Sequence, residues 1–239
     1  FIQSSHFGSS VLKLFNIESY SEDSVLRTEE FYSQLKRYEY YIDEQDDTKT
    51  IYAIPTEEHG KVRWIKFMQM KEKDKVLGIA VDITKEVEDL KKLEIQMNYD
   101  EMTGLYNRYA FDKKLAEILK KQDLGVCALV MWDLDNLKYI NDSFGHVYGD
   151  MYLTSFGKKL AALQQEYCIV CRYSGDEFYT FFYDFSSSDE IRLILTSFWK
   201  EIQGTSIMLP NGENSKLRVS AGSARYPYDA DNQADLLRY

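Results

Sequence analysis

The sequence predicts a mixed α/β (α+β) protein built as two units joined by a charged helix. Three observations lead there. The 239 residues exceed the length of one typical domain. Short apolar runs bounded by turn residues alternate with helical periodicity in both halves. Between the halves, a polar stretch from Thr84 to about Asn98 carries apolar residues only at Val87, Leu90, Leu93 and Met97 on its helical stripe, spaced by three and four.

In the first hundred residues, Ser9 to Phe15 and Ser24 to Leu35 read as short helices. The second has Thr28, Glu29 and Glu30 in its first turns, where acids complement the helix dipole. Extended runs follow at Tyr38 to Ile42, Ile51 to Ile54 and Val62 to Met70. On the last, alternation places Val62, Trp64 and Met68 on one buried side, interrupted by Lys66. Glu58, His59 and Gly60 supply the turn before it. Lys71 to Lys75 reads as a charged loop, and Val76 to Thr84 as an apolar strand ending in a helix cap at Thr84. The narrow stripe of the next helix fits either a linker lying on a neighbouring domain or a dimer seam.

The strand series closing with Gly78-Ile79-Ala80-Val81-Asp82-Ile83-Thr84, then a charged helix, resembles the end of a PAS sensor domain. The resemblance covers roughly residues 1–84 and lacks the family's first strands. It implies domains at 1–84, a linker helix at 85–99 and a second domain at 100–239. No cysteine precedes Cys127, so the thiol of a photoactive flavin-adduct PAS is missing. His6 and His59 are the only haem-ligand candidates in this segment, and each reads as a surface residue. No sensor cofactor is expected.

Composition narrows the function classes. Hydrophobic residues make up 44%, yet no apolar run approaches the roughly 18 to 20 residues needed to cross a bilayer. Neither a membrane segment nor a signal peptide is expected within this chain, although a longer parent protein could add a membrane anchor or further domains. The formal charge of −10 argues against duplex nucleic-acid binding, which needs clustered Lys and Arg. Three cysteines, Cys127, Cys168 and Cys171, fit a reducing cytoplasm and give no disulfide framework. Cys168 and Cys171 have CxxC spacing, but on a strand they point to opposite faces and read as structural.

The second half opens with a glycine-containing turn, Asp100-Glu101-Met102-Thr103-Gly104-Leu105-Tyr106-Asn107-Arg108, and a helix from Ala110 to Lys120 bearing Phe111, Leu115 and Leu119. Val126 to Trp132 is a continuous apolar run suited to a central strand covered on both faces. It ends abruptly at Asp133. Asp133 and Asp135 share one side in extended geometry, which suits a hard cation and equally a capped helix start. A second acidic pair lies in Ser174-Gly175-Asp176-Glu177-Phe178, between two strand-like runs, and reads as a hairpin tip. Acidic hairpin tips are common as solvated turns, but two acidic sites on separate strands are also what clamps a metal against a triphosphate.

Taken in order, the entry turn, Asp133-Leu134-Asp135-Asn136-Leu137-Lys138-Tyr139-Ile140-Asn141-Asp142-Ser143-Phe144-Gly145-His146-Val147-Tyr148-Gly149-Asp150 and the Ser174 to Phe178 segment resemble the GGDEF family of diguanylate cyclases, from Asp100 to the end. The entry turn matches that family's DxLTGLxNR signature with Met102 in place of leucine. The resemblance implies a palm-like domain with a central sheet flanked by helices. It implies magnesium, or manganese, held by the Asp133 and Asp176 side chains and the Leu134 carbonyl, with Glu177 beside the metal and, with Asp176, catalytic. Asn141 and Asp150 would read the guanine edge, Lys138 would meet the terminal phosphates, and Gly175 would complete the substrate contacts. The implied reaction joins two GTP molecules into cyclic di-GMP with release of pyrophosphate. Each domain holds half a site, so a homodimer is implied, through the GGDEF domain and the PAS-like domain or linker helix.

Three departures qualify the resemblance. Ser174 replaces the signature's first glycine, for which reduced activity at most is expected. The family's RxxD product-inhibition site maps onto Gln165 and Cys168, which cannot hold a guanine and a phosphate, so no feedback inhibition through it is expected. Ala234 to Tyr239 resemble the start of the last family helix, whose later basic residues lie outside this sequence. Two other readings stay open: a non-catalytic GTP-binding regulatory domain, standing ahead of a cyclic di-GMP phosphodiesterase domain, or a pure dimerisation module.

Overall fold

The computed structural model describes residues 4–5, 26–27, 33, 35–43, 46–56, 60–72, 75–121, 123–164 and 166–238. The chain divides into two units, Phe1–Leu93 and Glu94–Tyr239.

In the first unit, β1 (Ser4–Ser5) pairs with β2 (Leu26–Arg27). The helix expected from Ser24 to Leu35 is therefore corrected at Leu26–Arg27, where pairing with Ser4–Ser5 overrides local helix preference. Ser33 and Leu35 are helical. The expected helix from Ser9 to Phe15, His6, and the Glu58-His59 part of the turn lie outside the described residues. Gly60 is in a turn with a φ of +85°.

Four strands, β3 (Glu39–Asp43), β4 (Asp46–Pro55), β5 (Val62–Glu72) and β6 (Lys75–Asp82), form an antiparallel meander in chain order. Of the stretch expected as a charged loop, Lys71 and Glu72 extend this ladder, pairing with Val76 and Lys75, and Lys73 and Asp74 lie outside the described residues. The buried face of β5 is also the opposite of the expected one. Ile65 and Phe67 are buried, paired with buried Tyr52 and Thr50, whereas Val62, Trp64 and Met68 are only partly covered. Both faces of β5 carry large apolar residues, so alternation alone could not choose. The register with β4 decides.

The helix α1 (Thr84–Asn98) begins where expected, and Thr84 anchors its start. Its N–H donates to Asp82 Oδ1 at 2.9 Å, and its hydroxyl accepts the Trp64 N–H at 2.9 Å, tying the helix start to β5. Leu90, Leu93 and Met97 on the apolar stripe are exposed.

The second unit is a four-stranded antiparallel sheet ordered β12-β7-β9-β8, made of β7 (Val126–Leu134), β8 (Cys168–Ser174), β9 (Glu177–Phe185) and β12 (Val219–Tyr226). β7 is central, as its apolar run predicts. Alternate residues feed two cores. On one face Ala128, Val130 and Trp132 pack with Phe156 of α4 (His146–Ala161) and Phe198 of α5 (Ser188–Gln203). On the other, Cys127 and Leu129 pack with Phe111 and Leu115 of α2 (Arg108–Ile118) and Leu236 of α6 (Gln233–Leu236). The buried Trp132 indole satisfies its N–H by donating to Thr180 Oγ1 at 3.1 Å. A small hairpin, β10 (Ser206–Met208) with β11 (Asn214–Lys216), precedes β12. Cys168 and Cys171 belong to opposite cores, as strand geometry requires, and burial pushes the Cys168 thiol up to about 12.

Candidate functional site

The site grows from the end of β7. Beyond Trp132 the strand keeps Leu134 in the core but carries carboxylates at its rim: Asp133 and, just past the strand, Asp135. Register places Asp133 opposite Ser220 on β12 and Glu177 on β9, and places Glu177 opposite Ser174 on β8. Directly paired residues share a face, so Ser220, Asp133, Glu177 and Ser174 form one row across four strands. Asp176 sits at the tip of the β8–β9 hairpin, and its carbonyl accepts the Leu134 N–H at 3.1 Å. Burial pushes the Asp133 carboxyl above its ordinary value, and the charges of Asp176, Asp135 and Glu177 add to that effect in that order.

Neither aspartate caps α3 (Leu137–Phe144), so the helix-cap reading of this pair does not hold. The N-cap is Asn136, at a φ of 64° and without a side-chain bond. Asp135 instead accepts the Ser220 hydroxyl at 2.9 Å, while its N–H donates to the Arg218 carbonyl at 3.0 Å.

The hairpin tip is tethered from behind. Arg172 donates through Nε and Nη2 to the Gly175 carbonyl at 2.9 and 2.8 Å, and its Nη1 lies 3.3 Å from Asp100 Oδ2. Asp100 also accepts the Thr103 N–H and hydroxyl at 2.8 and 2.7 Å. Burial pushes the Asp100 carboxyl up, but the Thr103 bonds and then the Arg172 charge outweigh it and hold it below its ordinary value. A second joint lies at Asn107. Its Oδ1 accepts the Ala110 N–H to cap α2, its Nδ2 donates to the Met97 carbonyl, and its N–H donates to the Asn98 carbonyl.

The expected guanine-reading residues sit on a helical elbow. Gly145, at a φ of +89°, separates α3 from α4, and its N–H donates to the Asn141 carbonyl at 2.9 Å. One turn into α4, the bare Cα of Gly149 faces the Asn141 amide so closely that a Cβ there would lie 1.9 Å from Asn141 Oδ1. Asp150 follows and is exposed, as is Lys138 on the first turn of α3.

Among the described residues, no three His, Cys, Asp or Glu side chains converge as a ready-made metal cage. Magnesium does not need one, because it is commonly held by one or two carboxylates and completed by substrate phosphates. Asp133 set opposite Glu177, with Asp176 at the adjoining hairpin tip, suits such a hard cation. Cys168 is 3% exposed and cannot contact a product molecule, while Gln165 lies outside the described residues. No helix among the described residues is long and apolar enough to cross a membrane.

Sequence reasoning assigned no role to Arg172, Ser220 or Gly149. Arg172 stands directly before the hairpin, but its partner Asp100 is 72 residues away, and only the fold joins them. Gly149 could have been flagged, since glycine inside a helix costs stability and often marks a close approach.

The family model described as "Diguanylate cyclase, GGDEF domain" matches residues 97–239. Among curated proteins, the chain is 35% identical over 127 residues to the diguanylate cyclase DgcN of Escherichia coli (strain K12), covering 53% of this chain and 31% of that protein. It is 32% identical over 143 residues to the response regulator PleD of Caulobacter vibrioides (strain NA1000 / CB15N), covering 58% and 31%. The matched segment thus spans about a third of these relatives. Among solved structures, a Pseudomonas aeruginosa PA1120 (TpbB or YfiN) variant comprising only the GGDEF domain matches with a TM-score of 0.54 at 29% identity, covering 59% of this chain and 82% of that one. The coiled coil and GGDEF domain of DgcB from Caulobacter crescentus, in complex with c-di-GMP, matches in fold with a TM-score of 0.58 at 22% identity, covering 65% and 83%. With the two-faced sheet, the acidic strand end and the tethered hairpin in place, the chain belongs to the diguanylate cyclase GGDEF domain family.

Proposed function

We propose that this protein is a diguanylate cyclase, joining two GTP molecules into cyclic di-GMP under the control of a PAS-like sensor at residues 1–84. The observation that carries this reading is the gathering of Asp133, Asp176 and Glu177 where β7 meets the β8–β9 hairpin, immediately ahead of the α3–α4 elbow. Asp133, Asp176 and the Leu134 carbonyl would hold magnesium or manganese, with Glu177 beside them. The metal, when bound, would acidify the attacking 3′-hydroxyl and neutralise charge on the phosphate oxygens. Asn141 and Asp150 bind the guanine edge, Lys138 meets the outer phosphates as a mobile point charge, and Gly175 leaves the hairpin tip open to the nucleotide. Each chain presents one nucleotide site, so a second copy supplies the other half, paired through this domain and through α1 or the PAS-like domain. The chain carries this chemistry in the cytoplasm, where GTP is available.

The test is incubation of the chain with GTP and magnesium, with Asp176→Asn as control. Cyclic di-GMP that disappears in the control is expected. GTP binding without product would favour a regulatory nucleotide-binding role instead.

The Gly149 contact gives a sharper expectation for nucleotide binding. Gly149→Ala forces the Asn141 amide aside, and the obstructed atom is the end of a side chain, so the fold can yield. GTP affinity should fall by roughly tenfold or more, the worth of a hydrogen-bonded edge contact, while Tm changes little. Calorimetric titration with GTP beside thermal melts checks this; equal affinity would show that Asn141 does not read the base.

A further inference from the structure

Ser174 stands where most of this family has glycine, and its hydroxyl is engaged: it donates to Glu177 Oε2 at 2.5 Å across the hairpin. The row across the sheet gives that bond a direction. Glu177 has Asp133 as its partner on one side and Ser174 as its partner on the other. A carboxylate bonded to Ser174 leans toward β8, away from β7 and the acids gathered there. At the other end of the row the Ser220 hydroxyl donates to Asp135 Oδ1.

From this geometry we infer that Ser174 is a positioning residue that parks Glu177 away from Asp133, so that the carboxylate must leave the serine before it can help hold a divalent cation. The inference rests on the cyclase reading of the acidic site. It assigns the serine a specific effect: the parked state relieves repulsion between the carboxylates while the site is empty, and makes cation binding weaker than it would be with a free Glu177. A hydrogen bond to a charged group is worth enough to shift such an equilibrium by about tenfold.

The experiment is a titration of the chain with Mn2+ in the presence of GTP, following free Mn2+ by electron paramagnetic resonance. It compares wild type, Ser174→Ala, Ser174→Gly, Ser174→Thr and Asp133→Asn. Mn2+ affinity should rise about three- to tenfold in Ser174→Ala and Ser174→Gly, and Ser174→Thr, which restores a hydroxyl, should return toward wild type. Tighter binding in the alanine and glycine variants that threonine does not reverse would overturn the hydrogen-bond account, as would affinity in Ser174→Ala equal to or below wild type. In those cases Asp133-dependent binding by wild type would leave the cyclase reading standing. Absence of any Asp133-dependent Mn2+ binding by wild type would remove that reading and the positioning role together.

Discussion

Asp133→Asn should lower cyclic di-GMP formation by about a hundredfold or more, since removing a cation ligand forfeits several kcal/mol of charge stabilisation. The same substitution should raise the Tm of the metal-free protein. The Asp133 carboxyl is held above its ordinary value by burial and then by Asp176, Asp135 and Glu177. In the unfolded chain the group ionises at its ordinary value, so between the two values the folded state holds a proton that the unfolded state has released. The stabilisation associated with that proton is complete below the unfolded value and is lost as pH rises through the folded one. Above that window wild type carries the full repulsion, and the asparagine variant does not. Thermal melts from about pH 4 to pH 8 should show metal-free wild type losing ground relative to Asp133→Asn as pH rises. Mn2+ should restore wild type and leave the variant unmoved. Equal melting at all pH values would mean that the four acids do not strain one another.

The second large effect is expected at Arg172. Its side chain is 14% exposed and that of Asp100 is 23% exposed, so the pair is largely shielded from water. Arg172→Ala removes the two bonds to the Gly175 carbonyl and leaves Asp100 without its cation. A cost of about 2 kcal/mol is expected, between the values for surface and fully buried pairs, lowering Tm by roughly 6 °C for a unit of this size. Product formation should fall further than stability explains, because the hairpin bearing Asp176 loses its tether. Arg172→Lys keeps the charge but not the planar fork, and should recover stability more than activity. The depressed Asp100 carboxyl adds a pH signature of opposite sign to that of Asp133: its contribution is present above the ordinary carboxylate value and fades as pH falls through the lower, folded one. A variant in which stability and turnover fall in proportion would contradict the tether.

The outline of the second unit was legible because its signals are local. An uninterrupted apolar run ending at Asp133 suits a covered strand with its carboxylate at the rim, and Ser-Gly-Asp-Glu between two strand-like runs reads as a turn. The order of those pieces carried the family. What escaped was whatever depends on pairing across long separations. The choice between the two faces of β5 was set by Tyr52 meeting Ile65, not by the residues of β5 itself. Leu26–Arg27 became a strand because Ser4–Ser5 lies beside it. The Arg172 tether and the Ser174 bond to Glu177 depend on which atoms the fold brings within 3 Å or so, and side-chain order along the chain does not encode that directly. Ser174 was noticed as a missing glycine, for the backbone freedom lost; the structure points instead to the hydroxyl gained.

Asn107 meets the Met97 carbonyl in the last turn of α1 and caps α2 with a single side chain, its amide facing both ways. In mechanical terms that makes the bend after α1 a welded elbow rather than a hinge. A twist applied to the final turn of α1 arrives at the first turn of α2 with little slack, and α2 lies against one face of the sheet whose rim carries the acids.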